Sequence, residues 1–534
     1  MSEMITKLID FAKKAARVLP AFLLWGAFPP VGERTDVFFA VALLLWYSRT
    51  HSPRKSFRLW FLNGFLFWVA TLSWMPAIIK NGGPWPLVAL GHGALSAYLA
   101  LYFGAFGYLS SKAWRIAKGR PYYWRIVMLV VVEPVLWAGL EIVRSRLFGG
   151  FSWNQLGVPL ANSGLGAPAS VGGVYLLGAV VVLVNGTVAS IAERVYKPVR
   201  LPVEKWVRSV ETFLPFLVVF AVYWAAGAVT RDPVSAETVR FAMVQRNFPC
   251  VFKDAEADPL KAYARLFAGV AHAKCDFLVL SESALVEFGD VASPAALRFA
   301  SFALEETGAK ALLAGGSRRE SGKMFNSAAL YCRDGAGKVK IAGVYDKVHL
   351  VPFGEYIPFD KVFTFLQKLA PVGSCHAGEP KLLESGDVRL GVGICYEDTD
   401  SALVRRFARM GADVLVFITN DSWFSESTEA LQHSWQAAAR AAETGRSVVR
   451  VGNSGVTCVI MPDGKNETLS GPEGFPLVDA PGAFAVSVPL SRAAETVYMK
   501  YGDKPMLTLF FIVIAALFYL ERREIRSFPR PVDC

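Results

Sequence analysis

Three polar residues stand where apolar runs of the sequence break off: Glu282 in LVLSESAL, Lys347 in YDKVHLVPFGEYIP and Cys395 in GVGICYEDTD. A carboxylate or ammonium at the end of a buried strand is costly unless paired, so such residues tend to face one another or a cleft. A cysteine attacks as its thiolate, which a free thiol supplies sparingly at neutral pH. A neighbouring lysine ammonium favours that thiolate electrostatically. Glu282 is then placed to take the proton as general base and return it to a leaving amine or alcohol. The backbone N–H of Tyr396, together with Lys347, is the candidate donor pair for the oxyanion of a tetrahedral intermediate. Glu282, Lys347 and Cys395 thus make a complete acyl-transfer set without a histidine.

The competing cysteine chemistry uses histidine. His272 and His433 fall in helical patterns and read as helix-face or core residues. His349 lies two residues past Lys347; in a strand it points to the same face and supports the site. Asn420 and Asp421 read as the fixed turn beside the cleft, and Asn453, Ser454 and Gly455 as a tight loop. Of the seven cysteines, six lie between residues 250 and 458, and their spacings form no metal or redox pattern. No disulfide, metal or cofactor is expected.

Elements able to position these residues occupy 236–492. Strand patterns cover 238–245, 275–283, 310–316, 327–332, 388–397, 412–421, 447–453 and 456–462. Between several of them, DPLKAYARLFAGVAHA, SPAALRFASFALEETG, SALVRRFARMG and TEALQHSWQAAARAAETG carry the i, i+3, i+4 apolar spacing of helices with one buried face. Continuous apolar strands with flanking helices predict a layered α/β or α+β sandwich.

The rest of the chain is built for lipid. Of 534 residues, 53% are hydrophobic and only 19% charged, which is too apolar for an ordinary soluble surface. The net charge of +11 sits in short clusters between apolar segments, a pattern suited to a membrane surface and not to nucleic acid. Eight apolar stretches predict membrane spans: 9–30, 36–48 (the shortest), 57–79, 85–110, 125–148, 165–192, 210–229 and 506–520. Basic residues crowd the loops after the second, fourth and sixth, so both termini are expected in the cytoplasm and residues 236–492 on the outer side. KKAARVLPAFLLWGAF has the charge and apolar core of a signal peptide without a following cleavage site, and reads as a retained span. Glu133, and Glu141 with Arg144, are acids inside spans that either contact lipid head groups or pair locally. IPFDKVFTFLQKLAPVG (357–373), just past the lysine motif, reads as an apolar arm dipping into lipid.

LSESA, DKVHLVPFGEYIP, GICYED, TNDSWF and GNSGVT, in that order and at those separations, resemble the nitrilase superfamily and, within it, the apolipoprotein N-acyltransferases. LEIVRSRLFGGFSWNQLG (140–157) and YMKYGD (498–503) extend the resemblance over the membrane part. It implies a polytopic membrane domain of eight transmembrane helices (seven within 1–230, the eighth at 504–521). It also implies a nitrilase-like α-β-β-α sandwich at 236–492 on the periplasmic face of the cell inner membrane, and a cytoplasmic tail at 522–534. The implied reaction is ping-pong: the sn-1 acyl chain of a phospholipid passes to Cys395 as a thioester, then to the N-terminal amine of a diacylglyceryl-cysteine lipoprotein. Glu282, Lys347 and Cys395 match the family's catalytic triad; Glu355 corresponds to an acid near the lysine, and Glu397 to the acid after Cys-Tyr. Two departures stand out. Asp254 lies where the family usually has a tryptophan, and Leu-Ser-Glu replaces Trp-Pro-Glu before Glu282. The competing readings are a membrane-tethered amidase or nitrilase acting on a small amide, and a transporter or scaffold with a degenerate outer domain. The intact Glu282, Lys347 and Cys395 argue against the last.

Overall fold

A computed structural model describes residues 15–196, 202–229, 237–249, 258–357, 375–462, 464, 466–471, 474, 476–492 and 495–527. Its N-terminal half is helical: α1 (Ala15–Gly26), α2 (Ala42–Thr50), α3 (Pro53–Thr71), α4 (Trp85–Ala117), α5 (Tyr123–Arg144), α6 (Val158–Ala161), α7 (Ala169–Tyr196) and α8 (Pro202–Val229). Among the described residues, six helical runs are long and apolar enough to cross a membrane: Pro53–Asn81, Trp85–Ala117, Tyr123–Arg144, Ala169–Val195, Ser209–Ala228 and Lys504–Arg523. The segment expected as the second span does not reach that length. Its first residues fall in a tight turn at Arg34–Phe38, capped by Glu33, and only from Ala42 does it become α2. The nine residues of α2 rise only about 13 Å, against a hydrocarbon core of roughly 30 Å. The described part of the first expected span is the short helix α1; residues 9–14 lie outside the described residues.

The acids flagged inside the spans pair locally. Glu133 Oε1 accepts from Ser110 Oγ (2.7 Å) and Trp114 Nε1 (2.8 Å), with Arg49 3.6 Å from its other oxygen. Glu141 Oε1 accepts from Leu156 N (2.8 Å) and lies 3.8 Å from Arg144.

Beyond α8 come β1 (Thr238–Gln245), α9 (Pro259–Ala268), β2 (Phe277–Leu280), α10 (Pro294–Thr307), β3 (Ala311–Glu320), β4 (Lys323–Arg333) and β5 (Val339–Asp346). Next are β6 (Leu383–Ser385), β7 (Val388–Ile394), α11 (Ser401–Arg409), β8 (Val414–Thr419), α12 (Glu429–Thr444), β9 (Val448–Gly452), β10 (Cys458–Ile460), β11 (Asn466–Thr468) and β12 (Gly482–Pro489). The chain closes with α13 (Val497–Tyr501) and α14 (Lys504–Ser527). Two six-stranded sheets result, ordered β12-β1-β2-β3-β4-β5 and β11-β10-β9-β8-β7-β6. In each, three central strands run parallel (β1, β2, β3 and β7, β8, β9) and antiparallel strands flank them.

Side chains alternate across a strand, and the two faces find different partners. Phe241, Met243, Phe277, Val279, Ala311 and Leu313 share one core with Val392, Ile394, Val416 and Ile418 of the other sheet. Ala242, Val244, Leu278, Leu280, Leu312 and Ala314 pack instead with Tyr263 and Phe267 of α9 and Phe299 and Leu304 of α10. On the far side, Val404 and Phe407 of α11 and Ala437 and Ala441 of α12 close the second sheet. The result is a helix–sheet–sheet–helix sandwich, the layering that the family resemblance implies and a specific form of the layered sandwich expected from the strand pattern. Helix ends are set locally: Ser293 Oγ accepts from Ala296 N (3.0 Å) ahead of Pro294 to start α10, and Gly308, at φ 67°, ends it.

Candidate active site

Strand ends deliver the three flagged residues to one place. β2 stops at Leu280, and Glu282 follows on a turn packed against Gly315 of β3, so closely that a Cβ on Gly315 would lie 2.6 Å from Glu282 Cα. β5 stops at Asp346, whose carboxylate is held by Arg318 (2.9 and 2.6 Å) and Ser327 Oγ (2.6 Å); Lys347 is the next residue. The Lys347 backbone N–H still donates to Asn326 O (2.8 Å), which fixes the side chain's departure. Lys347 Nζ lies 2.9 and 3.1 Å from the two oxygens of Glu355, and the lysine is 1% exposed. Asn326 Nδ2 bridges the two acids, donating to Glu282 Oε1 (2.7 Å) and Glu355 Oε1 (2.8 Å). Val351 N donates to the other Glu355 oxygen (2.8 Å).

Cys395 arrives from the opposite sheet. β7 ends at Ile394, and Cys395, at φ 54°, opens a tight helical turn over Cys395–Thr399. A left-handed backbone at a non-glycine residue is strained, and such strain concentrates where a side chain must be presented at a sharp elbow. Cys395 and Tyr396 are partly exposed while Glu397, Asp398 and Thr399 of the same turn are buried. The first N–H groups of a helical turn have no partner within it, which suits the Tyr396 amide to an oxyanion.

Glu397 holds the elbow to the lysine loop. Its buried carboxylate accepts from Ile394 N (2.7 Å), Val348 N (2.7 Å), His349 N (2.9 Å) and the Tyr345 hydroxyl (2.9 and 3.0 Å). One side chain thereby ties the residue before Cys395 to the two after Lys347.

The charges around the sulfur set its resting state. Burial, and then the Glu282 carboxylate, push the Cys395 thiol well above its ordinary value; the Lys347 ammonium and a hydrogen bond with Thr419 oppose them without prevailing. Burial also raises Glu282, against the pull of Lys347 and of the Asn326 hydrogen bond. Burial works against the charged form of Lys347, but Cys395, Glu355, Glu282 and Glu397 outweigh it and the ammonium persists. Glu355 is raised by burial but held below its ordinary value by Lys347, Asn326 and Val351. The thiol therefore stays protonated beside a persisting ammonium, and burial makes the Glu282 carboxylate a stronger proton acceptor. The ammonium serves the sulfur anion as it forms, and the carboxylate is ready to take the proton.

The other flagged residues separate into different roles. His349 lies past the end of β5, where strand alternation no longer applies, and its imidazole pairs with Asp400 (3.0 Å). His272 lies on an exposed turn. Asn420 does fix its turn, accepting from Ser422 Oγ (2.6 Å) and from Asn453 Nδ2 (3.0 Å). His433 is a core residue, but a charged one, set between Asp398 (3.1 Å) and Asp421 (2.9 Å). Arg450 bonds the same two acids at 3.3 and 3.1 Å. Asp421, Glu429 and His433 are close enough together to hold a metal ion, yet a cation there would sit against the Arg450 guanidinium. Asp254 and residues 358–373 of the expected arm lie outside the described residues.

Asn326 and Thr419 were not singled out from the sequence. Both are polar residues at the limits of apolar strand runs, the same signal that marked Glu282 and Lys347.

The site is fastened to the membrane helices. Loop residues Phe151 and Trp153 stack near the Tyr396 ring, each with centroids 6.4 Å away, and the Tyr396 hydroxyl accepts from Ser152 N (3.2 Å). Gln432 of α12 accepts from Trp153 Nε1 (2.9 Å) and Trp74 Nε1 (3.3 Å), and donates to Pro29 O (3.0 Å) and Thr71 O (3.1 Å).

Residues 20–187 match the apolipoprotein N-acyltransferase N-terminal domain and residues 241–468 the carbon-nitrogen hydrolase domain. An apolipoprotein N-acyltransferase of Geobacter metallireducens is 32% identical over 463 residues, 83% of this chain and 84% of that one. Another, of Shewanella oneidensis, is 28% identical over 545 residues, covering 95% and 97%. Among solved structures, a nitrilase-superfamily amidase from Nesterenkonia AN1 is 19% identical, covering 50% of this chain and 96% of that one, with a TM-score of 0.36.

Proposed function

The chain belongs to the apolipoprotein N-acyltransferase family, and from that premise we propose that it moves a phospholipid's sn-1 acyl chain, through a thioester on Cys395, to a lipoprotein's N-terminal amine. In the first half-reaction Cys395 Sγ attacks the ester carbonyl while its proton passes to Glu282. The oxyanion is held by the Lys347 ammonium and the Tyr396 N–H. Collapse breaks the carbon–oxygen ester bond, and the lysophospholipid leaves with the proton from Glu282. In the second, the neutral α-amine of a diacylglyceryl-cysteine attacks the thioester and gives its proton to Glu282. An amide forms, and the sulfur leaves and recovers that proton. No cofactor is needed for either step.

The observation that carries this reading is the thiol–carboxylate–ammonium group at a strained elbow, braced through Tyr396 and Gln432 against the membrane helices. A soluble-amide hydrolase has no use for that bracing. In the proposed arrangement the protein crosses the inner membrane several times, with residues 236–492 on the periplasmic side and both termini in the cytoplasm. Glu355 holds the lysine, and Glu397 holds the elbow.

Incubation with phospholipid labelled in the sn-1 chain tests the proposal. A hydroxylamine-labile label on the wild-type chain, absent from Cys395→Ala, is expected. Turnover of small amides with no lipid-derived adduct would overturn it.

A further inference from the structure

We infer that Thr419 is a further contact residue for the nucleophile, its one hydroxyl proton shared between the Cys395 sulfur and the buried carboxylate of Asp421. The inference rests on Cys395 being the attacking group. β7 and β8 run parallel with Ile394 beside Ile418, so Cys395 and Thr419 are the next residues at two adjoining strand ends. Thr419 is fully buried, its Oγ1 donates to Asp421 Oδ1 at 2.8 Å, and its side chain is near enough to the Cys395 sulfur to favour the thiolate.

A hydroxyl carries one proton and two lone pairs. Against the resting thiol, Thr419 gives its proton to Asp421 and accepts from S–H. Once the sulfur proton has moved to Glu282, the sulfur can only accept, and a hydrogen bond to an anion is stronger than one to a neutral group. Rotation of the hydroxyl then turns its proton onto the sulfur; no proton is transferred by Thr419 itself.

That rotation is costly if it strips Asp421 of its partners. It does not. His433 Nδ1 lies 2.9 Å from the same Asp421 oxygen, and Arg450 bonds the other at 3.1 Å. His433 and Arg450 also grip Asp398, at 3.1 and 3.3 Å, in the turn that begins with Cys395. Two acids and two bases, all buried, thus fix both ends of the hydroxyl's swing. They are positioning residues, and Thr419 is the member that touches the reacting atom.

Alkylation of Cys395 by iodoacetamide in the full-length detergent-solubilised chain, followed against pH, tests this apart from lipid turnover. The charged groups facing the sulfur are Glu282, Lys347 and Asp421; substitution at Thr419 keeps all three, and Asp421, which loses the Thr419 donor, retains His433 and Arg450. Thr419→Val is expected to move the alkylation profile to higher pH and to slow acyl-enzyme formation about 10- to 100-fold with the phospholipid KM unchanged. Thr419→Ser restores both. Thr419→Ala replaces the valine chain if that one melts abnormally. A folded Thr419→Val or Thr419→Ala chain alkylated at the wild-type rate at every pH overturns the inference. Retained transfer by Cys395→Ala overturns the parent reading instead, and the two failures are distinguishable.

Discussion

Glu397→Gln isolates the coupling between the nucleophile elbow and the lysine loop. Four donors converge on this carboxylate: the Val348, His349 and Ile394 amides and the Tyr345 hydroxyl. With only donors around it, the side chain works as an ionised acceptor. A glutamine offers one acceptor oxygen. If that oxygen keeps Val348 and His349, the new NH2 faces the Ile394 amide, donor against donor. One hydrogen bond to a charged acceptor is lost and a buried N–H is left unpaired, together about 3 kcal/mol. That energy falls on the chain segments flanking Cys395 and Lys347, where a shift of about 1 Å costs on the order of 100-fold in rate. Transfer of a labelled acyl chain to a diacylglyceryl peptide should show kcat down about 100-fold with the phospholipid KM within roughly twofold. The unfolding temperature should fall only a few degrees. A Glu397→Gln chain with wild-type kcat would refute the reasoning.

Lys347→Met leaves Glu282 and Glu355 joined through Asn326 without their cation; transfer should fall at least roughly 1,000-fold and stability by about 3–5 kcal/mol, read from kinetics and chemical denaturation. Gly315→Ala puts a methyl 2.6 Å from Glu282 Cα and 2.9 Å from Ile418 Cδ1; kcat should drop about 100-fold as Glu282 is displaced, and a chain with unchanged kcat would show that the turn can yield. His433 is lowered by burial but raised further by Asp398 and Asp421, from 6.5 to about 10. Because the folded value lies above the unfolded one, its stabilisation is complete below pH 6.5 and is lost as pH rises through about 10, at most on the order of 5 kcal/mol. Thermal unfolding followed from pH 6.5 to 10 should decline, and His433→Gln should flatten that decline.

Much of this architecture was legible because apolar periodicity and strand-end polarity are local signals. The β1 pattern matches its strand limits, and Glu282, Lys347 and Cys395 were marked by charge or thiol at the end of an apolar run. β5, β6, β11 and β12 were missed. β6 and β11 have three residues each, too few to show a period, and VKIAGVYD of β5 mixes Lys340 and Gly343 into its run. The expected second span, 36–48, is shortened because the capped turn at Arg34–Phe38 takes up its first residues and leaves α2 only nine. His433 reads as a core residue and is buried, but its two acids and the Arg450 beside it come from the Cys395 turn, the β8 end and β9, which only tertiary packing unites with α12. His349 illustrates the reverse error: the two-residue rule holds within a strand and lapses once the strand ends.

The central claim is that Cys395 stores the acyl chain between two separate encounters. The chain is loaded with labelled phospholipid, freed of all donor lipid, and only then given a diacylglyceryl peptide. The account predicts that label leaves Cys395 and reappears as an amide on the peptide's N-terminus with no donor present. Label that reaches the peptide only when phospholipid and peptide are supplied together would contradict it.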